Sequence, residues 1–132
     1  MDLKPKQIEV KTKIEVFSKI FDVDPVWASA IAMTESSLGL NQLSPTKCRG
    51  VFQMSSIAMK DLLLTMNQID DDLVDIVCGL AFLRLLLKRH GTQEQATKHF
   101  CDPLDRGYYW DRVRYFMREF TEGQDLLKTV SD

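Results

Sequence analysis

At 132 residues and a formal net charge of −2, the chain is too short for two ordinary domains and too nearly neutral to act as a polyanion-binding arm. An apolar fraction of 45% against a charged fraction of 27% excludes disorder and supplies one core without disulfide staples. Three widely spaced cysteines, Cys48, Cys78 and Cys101, exclude a disulfide framework.

Residues 5 to 21 place Val10, Ile14, Phe17 and Phe21 at helical spacing with Lys and Glu between them, which predicts an N-terminal scaffold helix within residues 1–22. Asp22-Val23-Asp24-Pro25 reads as a stop and a restart, with Asp24 as N-cap and Pro25 at the first helical position, where its missing N–H costs nothing. The helix launched there carries Glu35 and is expected to end at Gly39. Residues 40 to 50 read as a loop, and residues 55 to 66 as a helix whose methionines fill gaps in the core.

Asp70-Asp71-Asp72 stands where a helix N-terminus welcomes negative charge, and Leu73, Val77, Leu80, Leu83 and Leu87 mark the helix that follows, the expected central helix, closed by His90-Gly91. Gly79 within it predicts a close approach by another backbone. A short helix over 93–101, a loop over 101–107 and a helix from Tyr108 through Phe120 complete the pattern. Residues 123–132 read as a weak helix or tail. The fold expected is mainly α, a single domain over 1–132 of about six or seven helices with little or no β.

Glu35 is the residue that needs explaining. In a helix, Ile31 lies one turn before it, with Ala28 and Trp27 a turn further back, so the acid shares their apolar face. Burial disfavours a carboxylate and raises its pKa, as proton donation near neutral pH requires. A Glu near a helix end that reaches solvent or pairs with an Arg, and does nothing chemical, is the plainer alternative. No acid occurs between Glu35 and Asp61, and Asp61 and the Asp70–Asp72 run read as surface charge, so no second acid is offered as a partner to Glu35.

Glu35-Ser36, then Ser44-Pro45 and Gly50-Val51-Phe52-Gln53, then Asp75-Ile76-Val77-Cys78-Gly79-Leu80-Ala81-Phe82-Leu83, resemble the lytic transglycosylase family (soluble-lytic-transglycosylase-like, related to goose-type lysozymes) over about residues 23 to 115. The family pattern is Glu-Ser, then Ser-x-x-Gly-Ala-x-Gly-Leu-Met-Gln, then Asn-Ile-x-x-Gly-x-x-Tyr-Leu. Here Lys47-Cys48 replace Gly-Ala, Asp75 replaces Asn and Phe82 replaces Tyr. The family's late Tyr-Asn pair, whose tyrosine hydroxyl sits near the catalytic acid, would fall at Phe100-Cys101, where neither residue is present.

The resemblance implies a lysozyme-like fold and cleavage of the β-1,4 bond between N-acetylmuramic acid and N-acetylglucosamine of peptidoglycan, giving 1,6-anhydro ends. Glu35 would be acid and then base, with Ser36 orienting it. Gln53 and the backbone near Gly50 and Met54 would hold the sugar, with Ser44 and Phe100 contributing by motif position. Tyr109 is added as an aromatic at a loop-to-helix junction, able to stack on a sugar ring. No cofactor is implied.

Several other functions stay open: a hydrolytic muramidase, an inactive structural or sugar-binding relative, and a helical nucleic-acid-binding module using residues 84 to 118, which hold eight Lys or Arg against four acids. A zinc site at His99, Cys101 and Asp102 has a crowded spacing unlike usual ligand patterns. Met1 to Val10 carries charges where a signal peptide needs an apolar core, and no segment reads as a membrane span. The expectation is therefore a protein made in the cytoplasm and delivered to the periplasmic cell wall by other machinery, as part of a phage particle or a secretion assembly.

Overall fold

The structure, a computed structural model, describes residues 1–42, 50–55, 58, 72–101 and 106–131, with side chains to residue 123. It is mainly helical, and five helices fall among the described residues: α1 (Pro5–Phe21), α2 (Pro25–Ser36), α3 (Asp72–His90), α4 (Gln93–Phe100) and α5 (Arg106–Ser131). The helix expected over 55–66 lies outside the described residues apart from Ser55, which is not helical, and Ala58, which is helical and buried and donates its N–H to Ser55 Oγ at 3.2 Å.

Helix α1 follows its apolar periodicity. Val10 and Ile14 are fully buried, while Phe17 and Phe21 pack partly against the core. Gln7 in its first turn does two jobs: its Oε1 accepts the Lys4 N–H at 2.9 Å, and its Nε2 donates to the Ser37 carbonyl at 3.0 Å, joining the start of α1 to the end of α2. Asp22 ends the helix in a left-handed conformation (φ 55°), and the Val23 N–H closes back on Ser18 O at 2.9 Å. The restart is as expected, with the Asp24 carboxylate accepting the Val26 N–H at 3.0 Å and Pro25 at the first position.

Helix α2 is buried along most of its length. Trp27, Ala28, Ser29, Ala30, Ile31, Ala32 and Ser36 all lie inside, the small residues allowing close approach by neighbouring helices. Trp27 donates its indole N–H to Thr97 Oγ1 on α4 at 2.8 Å, so the largest side chain of the core buries no unpaired donor. The helix stops earlier than expected. Ser37, not Gly39, takes the first left-handed position (φ 52°), followed by Leu38 (φ 53°) and Gly39 (φ 86°). Leu38 is fully buried, so its apolar contacts offset an unfavourable backbone conformation.

Helix α3 buries Ile76, Cys78, Gly79, Leu80, Phe82, Leu83 and Leu86. Gly79 is indeed a close approach, but the visitor is a side chain and not a backbone: a Cβ there would stand 2.3 Å from the Phe52 ring. His90 ends α3 and Gly91 (φ 83°) follows, as the sequence predicts. Helix α5 begins at Arg106 and continues through Ser131, so the tail is helical; Tyr109, Val113 and Phe120 form its buried side.

The main helix contacts run α1 to α2, α2 to α5, α5 to α4, α4 to α3 and α3 back to α1, a closed ring with the core inside. Among the described residues no helix is long and apolar enough to cross a membrane.

Candidate active site

Glu35 sits in the last turn of α2, partly buried, and its Oε1 accepts the Tyr109 hydroxyl at 2.6 Å. Burial pushes its pKa up to about 7, against the opposing pull of the Tyr109 hydrogen bond and the positive charge of Arg112. Tyr109 comes from the buried side of α5, the helix that packs most extensively on α2. Its own pKa is pushed well above the usual phenol value by burial and by the neighbouring carboxyl, which keeps it a hydrogen donor. Arg112, one turn further along α5, is exposed and lies over the Tyr108 ring with its guanidinium carbon 6.0 Å from the centroid.

A tyrosine hydroxyl therefore reaches the acid, but from position 109 and not from position 100. Phe100 packs against Phe82, with ring centroids 5.8 Å apart, and is part of the core margin. Tyr109, expected as a platform for sugar, is instead buried as the acid's hydrogen-bond partner.

Next to Glu35 in sequence, Ser36 is buried and bonds away from it. Its hydroxyl donates to the Val51 carbonyl at 2.5 Å and accepts the Gly39 N–H at 3.0 Å. Ser36 thereby fastens the end of α2 to the turn Gly50-Val51-Phe52-Gln53. In that turn Gly50 (φ 88°) and Gln53 (φ 51°) are left-handed. The Gln53 amide nitrogen donates to Gln42 O at 2.9 Å and to Gly50 O at 2.7 Å, so it pins the turn. Met54 follows with a buried side chain and a single β-bridge on its backbone. Ser44 lies outside the described residues.

A second acid, legible in the sequence only as the replacement for a motif asparagine, also meets the turn. Asp75 on α3 is fully buried, and its Oδ2 accepts the N–H groups of Val51 and, at 3.3 Å, of Phe52. Burial raises its pKa to about 7, the Val51 and Phe52 amides pull it down, and the charge of Asp72 adds to the rise. A usable signal was present: Asp75 shares a helical face with Cys78, Gly79 and Phe82, as Glu35 does with Ile31. Asp72 itself pairs with Lys6 and accepts from Gln42 Nε2 at 2.9 Å, which holds its carboxyl below the ordinary value despite some burial.

His99 and Cys101 bond to their own helix, to Gln95 O and Lys98 O, and Asp102 lies outside the described residues. Among the described residues no group of three His, Cys, Asp or Glu could hold a metal ion.

Chemically, the assembly is one partly accessible carboxyl with a near-neutral pKa, held by a phenol on one side and tied through the next residue to a turn rich in backbone polar groups. No described carboxylate is among the charges that act on Glu35. Compared with protein families, curated proteins and solved structures, the chain matches none.

Proposed function

We propose that the chain is a peptidoglycan lytic transglycosylase on a lysozyme-like helical domain, with Glu35 as its single acid and base. The observation that carries this reading is the Glu35–Tyr109 pair: a carboxyl kept near neutrality by burial, with one oxygen engaged by a phenol at 2.6 Å. At neutral pH such a group is populated in both forms, which a residue that first gives and then takes a proton requires.

In the proposed reaction Glu35 donates its proton to the glycosidic oxygen between N-acetylmuramic acid and N-acetylglucosamine. The C1–O bond breaks and the N-acetylglucosamine leaves as an alcohol. The Glu35 carboxylate, steadied by the Tyr109 O–H, then accepts the proton of the muramyl 6-hydroxyl as its oxygen bonds to C1. The product carries a 1,6-anhydro ring, no water is consumed, and the acid is restored. The turn at Gly50–Met54 would flank the sugar through its backbone groups and the Gln53 carbonyl oxygen.

Clearing of purified peptidoglycan tests the reading. Wild type should clear it and Glu35→Gln should not, with unchanged helical content. Mass analysis of the products should show anhydro ends; reducing ends would make the protein a hydrolytic muramidase using the same acid, and equal clearing by the variant would overturn the assignment.

A further inference from the structure

Val51 is gripped from both sides. Its N–H points to the Asp75 carboxyl on α3, and its carbonyl accepts from Ser36, the residue beside Glu35. One residue of the turn thus bridges a buried acid to the end of the helix that bears the proposed catalytic group. On the α3 side the fit leaves no slack: a Cβ on Gly50 would stand 2.5 Å from the Asp75 carboxyl, and one on Gly79 would run into the Phe52 ring. Asp75 Oδ1 is buried with no hydrogen-bond partner among the described residues, so the carboxyl commits one oxygen to the turn and the other to none of the described groups.

We propose that Asp75 is a positioning residue whose ionisation state sets the hold on the Gly50–Gln53 turn, and through Val51 and Ser36 the setting of Glu35. This rests on the reading of Glu35 as the acid only where activity is measured. As a carboxylate, Asp75 accepts two charge-assisted hydrogen bonds from Val51 and Phe52, which are stronger than those to a neutral acceptor. On protonation the hydrogen goes to Oδ1, since Oδ2 faces two donors, and the grip on both amides weakens. Among the described residues the charges acting on Asp75 are few. Asp72, one turn before it on α3, is engaged by Lys6 of α1 and Gln42. The Cys78 thiol, one turn after it, is pushed up by burial and then by Asp75. Residues 50–54 carry no ionisable side chain. Burial lifts the Asp75 pKa to about 7, which puts the change of grip in the neutral range.

The test follows the Val51 and Phe52 amide protons by NMR across a pH series from about 5 to about 9, with the Asp75 carboxyl carbon as reference. In the full chain both amides should shift with the midpoint of that carbon. The same shifts should persist in Glu35→Gln and vanish in Asp75→Asn, which keeps the shape and an acceptor oxygen without the charge. In peptidoglycan clearing, Asp75→Asn should be several-fold weaker than wild type near pH 8, mainly through KM, and should converge with it near about pH 5.5, where Asp75 is already protonated. A merely structural role predicts a ratio constant with pH. Amides that stay flat in wild type, or that track Glu35 and are lost in Glu35→Gln, would overturn the proposal. Absence of clearing by wild type would remove the proposed function while the amide titration still decided the role of Asp75.

Discussion

Glu35 and Asp75 are both carboxyls on the inward side of a helix, and burial lifts both to about 7, yet their surroundings differ in kind. Glu35 is at a helix end, partly open, and held by one side-chain hydroxyl. Asp75 is closed in, and faces two backbone amides. A raised pKa alone therefore does not identify a chemical role; access does. The first acid can exchange its proton with something that arrives, whereas the second can only alter what the chain does to itself.

The largest effect that would sharpen this contrast is on activity. Glu35→Gln should lower the rate of peptidoglycan cleavage by about 10²–10⁴-fold, the usual worth of a general acid, measured by turbidity. Stability comes next. For both acids the folded pKa lies above the unfolded one, so each favours folding in its protonated form. That contribution is intact below about pH 4 and is lost as pH rises to about 7. Asp75→Asn should flatten that decline by at most about 4 kcal/mol, and Glu35→Gln by about 2 kcal/mol, read from urea midpoints at several pH values. Asp72, whose pKa is lowered, acts in the other direction and gives up its contribution as the solution becomes more acid.

Gly50→Ala strikes the Asp75 side, adding a Cβ in a left-handed residue against the carboxyl, and should cost about 2–3 kcal/mol by thermal or urea unfolding. Tyr109→Phe strikes the Glu35 side. It removes one hydrogen bond worth about 1–2 kcal/mol and a brake on the Glu35 pKa, so the pH–rate profile should move to higher pH while the Val51 and Phe52 amides stay unaffected. Arg112→Ala should be the smallest, moving that profile the same way by less, since Arg112 is exposed and acts through charge. If Tyr109→Phe disturbed the turn as strongly as Asp75→Asn, the two acids would be one coupled unit and not two.

Local signals made much of the fold legible. The Val10–Ile14 spacing of α1, the Asp24-Pro25 start of α2 and the His90-Gly91 end of α3 depend only on neighbours along the chain, and each stands where the residues indicate. The stop of α2 was misplaced because Gly39 satisfies the left-handed rule just as well as Ser37. The burial of Leu38, the Gln7 bond to Ser37 O and the Ser36 bond to Val51 O favour the earlier turn, and all three are tertiary. Within the site, the apolar face bearing Glu35 could be read, but its partner Tyr109 could not, since the contact spans 74 positions and depends on how α5 lies on α2. Asp75 could be read only as the replacement for a motif asparagine, since an aspartate so close to the Asp70–Asp72 run gives no local sign that it is buried beyond the helical face it shares.

The closed circuit of helix contacts bears on how the molecule comes apart. In an open row of helices the outermost member can peel away with one seam broken, but each helix here is seamed to two others, α1 included. Detaching α1 strips cover from α2 and α3 at once and leaves the Ser37 carbonyl, two residues from Glu35, without the Gln7 amide that now satisfies it. Fraying from the amino end is thus opposed by the same seams that frame the acid, and amide exchange in α1 is tied to opening of the whole circuit and not to a loose margin.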